Sequence, residues 1–406
     1  MERHRFEREL EYLSGGTAAG LEFESPLASA SLFLPPGLKK IDHLHMRKSP
    51  IPSAATPGSS LEKLNPEGMN PGFINDKDEL IVDSTPGGLD GRAKEIVTKY
   101  MSAYKDETKV ALVDLSGKKL FSPEYSGWKS TVLTVAASTA KILPIYAAFQ
   151  LIFDLNQLAK SIKGEKAIIA EFKDRLRKAG IFEGPSFIAE HFTFDQNSAE
   201  PFAFSGSLKT HIRDIHASPS GANNAASRVI RAVGFGYMAS VVAQSGLWHN
   251  RRKGLWLQGD YAGRGWGRSP VGGFSANCNA LSLVSFFTLL AQERLVDQAS
   301  STGIKTALTG GSWMGSSIAS AFPARSVTAA AKVGLLNKCT AWVEKEGKKK
   351  CQKSITTTRH EAGLIDIDGG KHRFAITILT TGNASRKTVV EALSKSLAEL
   401  IVERNP

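Results

Sequence analysis

Apolar residues recur with helical spacing over several long segments of the chain. One of them, Thr134 to Leu155, predicts a buried helix, and two polar residues, Ser138 and Lys141, stand at its start. From 138 to 324 the pattern is mostly helical. Further helical patterns cover 91–104, 280–296 and 386–402.

Segments with strand-like patterns lie on either side of this helical region. The first predicts two strands joined by a turn at Ser116 and Gly117. Because strands come from both ends of the chain, we predict an α+β fold: an antiparallel sheet flanked by helices, with an inserted all-α subdomain. In this division 91–137 and 325–406 form the α/β part, and 138–324 form the helical part. The strand segments are 109–122, 327–336, 338–346, 353–367 and 372–382.

Residues 1–90 have little periodicity and are rich in Pro, Ser and Gly. We interpret them as an extended or disordered leader that touches the domain in places. The first sixteen residues carry many charges and no apolar core, so they do not predict a signal peptide. No stretch reaches the roughly 18 consecutive apolar residues of a membrane span, so none is expected.

The chain is basic, with 51 Lys and Arg against 39 Asp and Glu, a net charge of +12. Such a surface suits nucleic acid, anionic cell-envelope polymers or solubility. Much of the excess lies in two short segments, 249–254 and 344–353, which we interpret as loops or hairpin tips. No nucleic-acid-binding motif accompanies them, so no nucleic-acid partner is expected. A basic nucleic-acid-binding protein remains an alternative hypothesis.

Three cysteines, an odd number, do not indicate a disulfide framework. Cys339 and Cys351 flank a turn-like segment and are placed to face each other across a hairpin. The sequence leaves open whether they are bridged. A bridge would favour an oxidising compartment.

Ser138 and Lys141 are spaced one helical turn apart, which puts both side chains on one face. A serine at a helix N-terminus gains from the local positive potential and the free backbone N–H groups. A lysine one turn later can act as a base if burial or a second cation keeps it neutral. The alternative is a helix cap followed by a surface lysine.

Two later segments add polar groups to this pair. Lys332 interrupts an apolar strand two residues before Gly334, where its charge would suit a substrate carboxylate. The polar turn at 218–234 leads into a helix, and its Ser220 and Asn223 are candidates to donate hydrogen bonds and relay a proton. An edge-strand lysine and a capped helix start are the plain structural alternatives.

Taken together, Ser138-Thr139-Ala140-Lys141, the 220–223 region and Lys332-Val333-Gly334 resemble the penicillin-recognising serine hydrolases. That superfamily comprises class A β-lactamases and D-alanyl-D-alanine peptidases, and it carries three such motifs in this chain order. The resemblance spans roughly 95–405 and implies a β-lactamase/transpeptidase-like fold, no metal or organic cofactor, and a periplasmic or extracellular location. It leaves the oligomeric state unknown.

The resemblance implies a role for each matched residue. Ser138 would be the acylated nucleophile and Lys141 its general base or proton relay. Lys332 would anchor a carboxylate and help to keep Lys141 neutral. Backbone N–H groups of Ser138 and Leu335 would form the oxyanion hole, and Val333 and Gly334 would line the substrate site.

The sequence departs from the superfamily pattern at the second and third motifs. Direct alignment gives Gly221-Ala222-Asn223, without a serine, whereas one extra residue pairs Ser220 with Asn223, and we prefer the second register. Val333 stands where the superfamily has a hydroxyl residue, so one hydrogen bond to a carboxylate is lost and strong penicillin binding is in doubt.

A further departure concerns deacylation. The loop at 248–274 has no glutamate, and Asp260 stands near the place where class A β-lactamases activate water. Asp260 is either a short water-activating base or a loop cap. Trp256, Tyr261 and Trp266 crowd the same loop and predict loop packing or a pocket mouth. The histidines lack metal-ligand spacing, and we interpret them as structural or surface groups.

We therefore expect a serine hydrolase acting through a Ser–Lys acyl-enzyme on a β-lactam, a D-Ala-type peptide or an ester. Its partner would be a small molecule or peptide that carries a carboxylate, and the superfamily associates such chemistry with cell walls and antibiotic resistance. The alternative is a catalytically degraded relative that binds cell-wall peptide or a protein partner.

Overall fold

The computed structural model describes most of the chain after residue 68. The described residues are 69–75, 79–104, 107–179, 181, 183–217, 221–249, 253–262, 276–345 and 348–406. Residues 1–68, the larger part of the predicted leader, lie outside them.

Helices and strands are numbered here along the chain. The strands are β1 (Thr108–Asp114), β2 (Glu124–Trp128), β3 (Thr134–Val135), β4 (Phe192–Phe194), β5 (Phe202–Phe204), β6 (Trp248–His249), β7 (Lys253–Gly254), β8 (Trp256–Leu257), β9 (Ala276–Cys278), β10 (Val327–Lys345), β11 (Lys348–Ile367) and β12 (His372–Thr381). The helices are α1 (Leu89–Met101), α2 (Ile142–Ala159), α3 (Glu165–Lys178), α4 (Gly206–Ala217), α5 (Ala222–Val233), α6 (Phe235–Gln244), α7 (Ala280–Ala291), α8 (Gln298–Ala307), α9 (Trp313–Ala321) and α10 (Lys387–Arg404).

The main sheet has five antiparallel strands in the order β10-β11-β12-β1-β2. The N-terminal hairpin β1–β2 therefore lies beside the C-terminal strand β12, and the helical region is inserted between them. The predicted α+β class is confirmed. The second strand begins later than predicted, because Gly117–Leu120 forms a 3₁₀ turn and β2 starts at Glu124.

Other elements of the fold cover both faces of the sheet. Strand β1 is therefore buried on both sides, and its central residues, 110–113, are all apolar. Side chains alternate across a strand, so Val110 and Leu112 pack with α1, α9 and α10, whereas Ala111 and Val113 face the larger core with α7 and the helical part. All seven residues of β1 are buried.

Helix α2 runs through the centre of the helical part. With the turn before it, at Ala137–Ala159, it is the one helix among the described residues that is long and apolar enough to cross a membrane. Its most apolar window is 83% buried inside the protein, as expected of a core helix.

Ordered packing begins before the predicted boundary at residue 90. Phe73 is fully buried and stacks on Tyr125, with ring centroids 4.8 Å apart. The Met69 N–H donates to the Ser245 carbonyl. Residues 69–75 thus pack against the domain, where the sequence predicted a leader that touches it in places; one anchoring aromatic leaves no periodicity from which to place such a contact.

Strands β10 and β11 continue well beyond the rest of the sheet. Strand β12 pairs with β11 only from Thr358 to Ile367. Beyond that point β10 and β11 form a two-stranded ribbon, here called the arm, which comprises 337–345 and 348–356. A disulfide joins Cys339 to Cys351 across it, with a Cα–Cα distance of 5.7 Å. The structure thereby settles the pairing that the sequence left open.

Candidate active site

Ser138 and Lys141 lie in a 3₁₀ turn, Ala137–Lys141, that leads directly into α2. We call this segment the Ser138 turn. A 3₁₀ helix has three residues per turn, so positions i and i+3 eclipse each other and the two side chains share a face. Ser138 is half-buried, whereas Lys141 is only 2% exposed.

The residue before Ser138 has an unusual backbone conformation. Ala137 has φ of +49°, in the left-handed region that residues other than glycine rarely adopt. Such strain persists only where surrounding structure enforces it, and it clusters at functional sites.

Strand β9 holds the Ser138 turn on one side. The Ala136 N–H donates to the Ala276 carbonyl at 2.9 Å, and β3 pairs with β9 at Thr134–Cys278 and Val135–Asn277. The Thr139 hydroxyl donates to the Ala136 carbonyl within the turn. These contacts fix the chain that carries Ser138.

Strand β10 lies against the other side of the turn at Gly334. A Cβ on Gly334 would lie 3.0 Å from Thr139 Cγ2, 3.1 Å from Thr139 N and 3.2 Å from Ala136 O. Such spacings are tighter than ordinary van der Waals contact, so glycine permits the close approach. The approach brings Lys332, Val333 and Leu335 beside the Ser138 turn.

The Lys141 amine is held by two other elements. Its Nζ donates to Asn223 Oδ1 at 2.6 Å, from the first turn of α5, and lies 4.7 Å from the centre of the Tyr261 ring. Burial, and secondarily the charge of Lys332, lowers the pKa of Lys141 to about 7. The amine is therefore partly neutral at neutral pH, and Asn223 orients it.

Lys332 brings a second buried cation to the site. Its side chain donates to the Val333 carbonyl at 3.3 Å. Burial lowers the pKa of Lys332 to about 8, against a raising effect of Glu361. Within the described part of the chain, neither Lys141 nor Lys332 forms an ion pair with a carboxylate.

His360 supports the site in a way that sequence reasoning missed. Its Nδ1 accepts the Thr380 N–H at 3.2 Å, so the proton is on Nε2, which donates to the Val135 carbonyl at 2.9 Å. Burial lowers the pKa of His360 to about 4, so the ring is neutral. The bond ties β11 to the segment just before Ser138, and no sequence signal marked it.

Asp260 is anchored to α5. One carboxylate oxygen accepts from Arg231 Nε at 3.0 Å and Nη2 at 2.8 Å, and the other accepts the Ala262 N–H at 2.9 Å. This arrangement matches the loop-cap interpretation. Ser220, and the loop at 263–275 with Trp266, lie outside the described residues.

The remaining predicted site residues lie on β10 or its surroundings. Val333 is half-buried, and Leu335 is exposed at the edge of the sheet. Among the described residues, no group of three or more His, Cys, Asp and Glu side chains is arranged to hold a metal ion.

No protein-family model and no curated relative matches the sequence. Solved structures with a similar fold include a β-lactamase from Chitinophaga pinensis, at 10% identity and a TM-score of 0.46, covering 78% of this chain and all of that one. A β-lactamase from Sphaerobacter thermophilus is 13% identical with a TM-score of 0.46, covering 77% of this chain and 99% of that one. A mutant of PBP-A, solved as an acyl-enzyme with penicillin G, is 12% identical with a TM-score of 0.44, covering 78% of this chain and 96% of that one.

Proposed function

We propose that this chain is a serine hydrolase that acts through an acyl-enzyme on Ser138, with Lys141 as the base. The observation that carries the proposal is the state of Lys141: buried, oriented by Asn223 at 2.6 Å, and with a pKa lowered to about 7. A lysine kept only for solubility would be exposed, and a buried cation without a role costs stability.

In the first step Ser138 Oγ attacks the substrate carbonyl carbon while its proton passes to Lys141 Nζ. The C=O π electrons move onto oxygen, and the N–H groups of Ser138 and Leu335 are the proposed donors to that oxyanion. Collapse of the tetrahedral intermediate breaks the bond to the leaving group, which takes the proton from Lys141. Water then hydrolyses the acyl ester and restores Ser138.

The substrate class follows from charge. Two buried lysines meet beside Ser138 without a described carboxylate partner, so the site favours an anionic ligand. A carbonyl compound with a nearby carboxylate fits this: a β-lactam, a D-Ala-type peptide or an ester. Val333 offers no hydroxyl to that carboxylate, which favours a peptide or ester over tight penicillin binding.

Slow deacylation is part of the proposal. Both oxygens of Asp260 accept hydrogen bonds from Arg231 and Ala262. These bonds hold the carboxylate to α5 and to its own loop. We therefore expect a lasting acyl-enzyme rather than rapid turnover of β-lactams.

Two probes separate the nucleophile from the substrate class. A fluorophosphonate, which reacts with activated serines whatever their substrate, is expected to add one phosphonyl group to the wild type, detected by intact-protein mass. Ser138→Ala is expected to remain unlabelled, whereas Ser320→Ala, an exposed serine on α9, serves as the matched control and is expected to label normally. Absence of Ser138 labelling would favour the degraded, peptide-binding alternative.

The second probe is a penicillin, with a chromogenic cephalosporin measured in parallel. A persistent adduct on the wild type, absent from Ser138→Ala, is expected. Rapid colour change without an adduct would contradict slow deacylation and would return Asp260 to consideration as a base. Fluorophosphonate labelling without any β-lactam adduct would retain the serine hydrolase and reassign the substrate to an ester or peptide.

A further inference from the structure

The arm carries an unusual concentration of exposed apolar side chains. Nine large apolar side chains in the described residues are exposed, and four of them lie on β10 and β11. Leu335 belongs to the active-site edge. The other three lie on the arm: Trp342 at 55% exposure, Ile355 at 50% and Val343 at 36%.

Positive charge accompanies these side chains. Between residues 338 and 353 the sequence has six lysines against two glutamates. Lys338 and Lys353 are exposed, and Lys338 is paired in register with Ile355. Opposing residues of an antiparallel pair share a face, so an exposed cation and an exposed apolar group stand side by side.

The disulfide holds this ribbon together. Trp342 is paired in register with Cys351, so it lies on the same face as that end of the bridge. The ribbon also contains three register shifts, which bend and twist a strand pair. The covalent bridge lies beside Trp342 and holds the two strands together, so the tryptophan side chain stays exposed to solvent.

We propose that the arm docks the protein on an anionic phospholipid surface. Tryptophan is favoured at the membrane–water interface, where its ring lies at headgroup level, and lysines near an anionic bilayer are attracted to the lipid phosphates. Trp342 supplies the apolar contact, and the lysines of 338–353 supply the charge. A soluble anionic polymer would use the lysines but would leave the exposed tryptophan without a partner.

Docking in this way has a geometric consequence. Ten residues of β10 separate Lys332 from Trp342, which corresponds to about 30 Å of strand. The Ser138 site would therefore stand above the bilayer, within reach of substrates outside it. The proposal does not depend on catalysis, and Ser138→Ala is expected to bind lipid like the wild type.

Co-sedimentation of the full chain with vesicles tests the proposal. Binding is expected to phosphatidylcholine vesicles that contain phosphatidylglycerol, and not to phosphatidylcholine alone. Trp342→Ser is expected to weaken binding about tenfold through lost apolar burial. Ile188→Ser, which replaces another exposed apolar residue (47% exposed) away from the arm, is the matched control and is expected to bind normally.

The charge component has its own pair of triple variants. They are Lys348→Gln with Lys349→Gln and Lys350→Gln, and the control Lys160→Gln with Lys163→Gln and Lys166→Gln, three exposed residues around the start of α3. The arm variant is expected to lose about a hundredfold in affinity, and the control to lose far less. Thermal melting of each variant checks that folding is unchanged.

Three results would overturn the proposal. The first is no binding to anionic vesicles. The second is equal loss in the arm and control triple variants, which would indicate a general effect of net charge. The third is binding to vesicles that is unchanged by Trp342→Ser and is competed by soluble polyglutamate, which would mean a polyanion site without lipid specificity.

Discussion

At the residue scale, the chemistry depends on how one lysine is kept neutral. Lys141 is removed from water, it donates to the neutral acceptor Asn223, and the charge of Lys332 further lowers its pKa. Each of these features either permits or favours the unprotonated amine. The Tyr261 ring at 4.7 Å stabilises the cation that forms when Lys141 takes the serine proton.

This environment predicts the pH dependence of acylation. The reactive form is neutral Lys141, so labelling of Ser138 by the uncharged fluorophosphonate is expected to rise through pH 7 and level off above it. Lys332→Met removes a charge that lowers the Lys141 pKa, so the midpoint is expected to move up by about one pH unit. Rates of labelling measured against pH give the midpoint.

Lys332→Arg is the control for this prediction, because it retains the positive charge. It is expected to keep the midpoint of the wild type. Because the probe carries no carboxylate, the loss of substrate anchoring does not enter the measurement. An unchanged midpoint in Lys332→Met would contradict the proposed electrostatic role.

At the element scale, the site exists because β10 and β9 clamp the Ser138 turn. Gly334 makes the β10 contact possible, and His360 ties β11 to Val135 on the same segment. The Ala137 strain is held between these strands. The strands that hold the Ser138 turn therefore determine which groups lie beside Ser138.

Gly334→Ala tests this clamp. The added methyl group would push β10 from the turn by a few tenths of an ångström, at a cost of about 1–3 kcal/mol, and misplacement of the reacting groups is expected to slow acylation by about 100-fold. Gly206→Ala, where a Cβ meets no atom within 4 Å, is the matched control. Full acylation activity in Gly334→Ala would show that the contact is dispensable.

The helical part contains a second buried ionisable group, Asp154 on α2. It accepts hydrogen bonds from the Tyr237 hydroxyl at 2.7 Å and from the Gln150 amide at 2.8 Å. Burial nevertheless raises the pKa of Asp154 to about 7, so the folded protein keeps this side chain protonated at mildly acidic pH.

A raised folded-state pKa makes stability depend on pH in a defined direction. The contribution of Asp154 is fully present below its unfolded pKa near 4 and is lost as pH rises through about 7. Asp154→Asn resembles the protonated acid at every pH. The wild type is therefore expected to lose of order 3 kcal/mol relative to the variant between pH 4 and pH 7. Urea unfolding at several pH values measures the difference, and parallel curves would refute it.

At the scale of the whole molecule, the arm is separate from the two cores. Its residues at 351–355 are exposed, as are Trp342, Val343 and Glu344. Little apolar surface is buried there, so the bridge between Cys339 and Cys351, rather than packing, holds the ribbon. Local opening of such a segment takes much less free energy than global unfolding.

Removal of the bridge should therefore act locally. The double variant Cys339→Ser and Cys351→Ser is expected to shift the melting temperature by less than about 2 °C, yet to be cut by trypsin within the arm about tenfold faster. Reductant is expected to reproduce this on the wild type and to leave the variant unchanged. A large fall in melting temperature would show that the arm is part of the cooperative core.

Much of the fold was predictable because its signals are local. The α+β class, the long apolar helix and the C-terminal strands follow from periodicity, and each appears near its predicted place. The packing of Phe73 on Tyr125 could not be placed from the sequence, because one aromatic residue leaves no periodicity. The predicted strand segments 327–336 and 338–346 together cover β10, whereas β11 starts at Lys348 and not at 353 as predicted, because its exposed first residues show no alternation of burial.

By itself, the sequence determined which residues could carry the chemistry: a serine and a lysine three positions apart, and a lysine two positions before a glycine. These are properties of covalent spacing, which the chain cannot change. Only the tertiary structure decided that Asn223, 82 residues from Lys141, is its hydrogen-bond acceptor, that Arg231 holds Asp260, and that His360 supports Val135. Those contacts join distant segments, and their effects on burial and pKa arise only when folding removes water from between them.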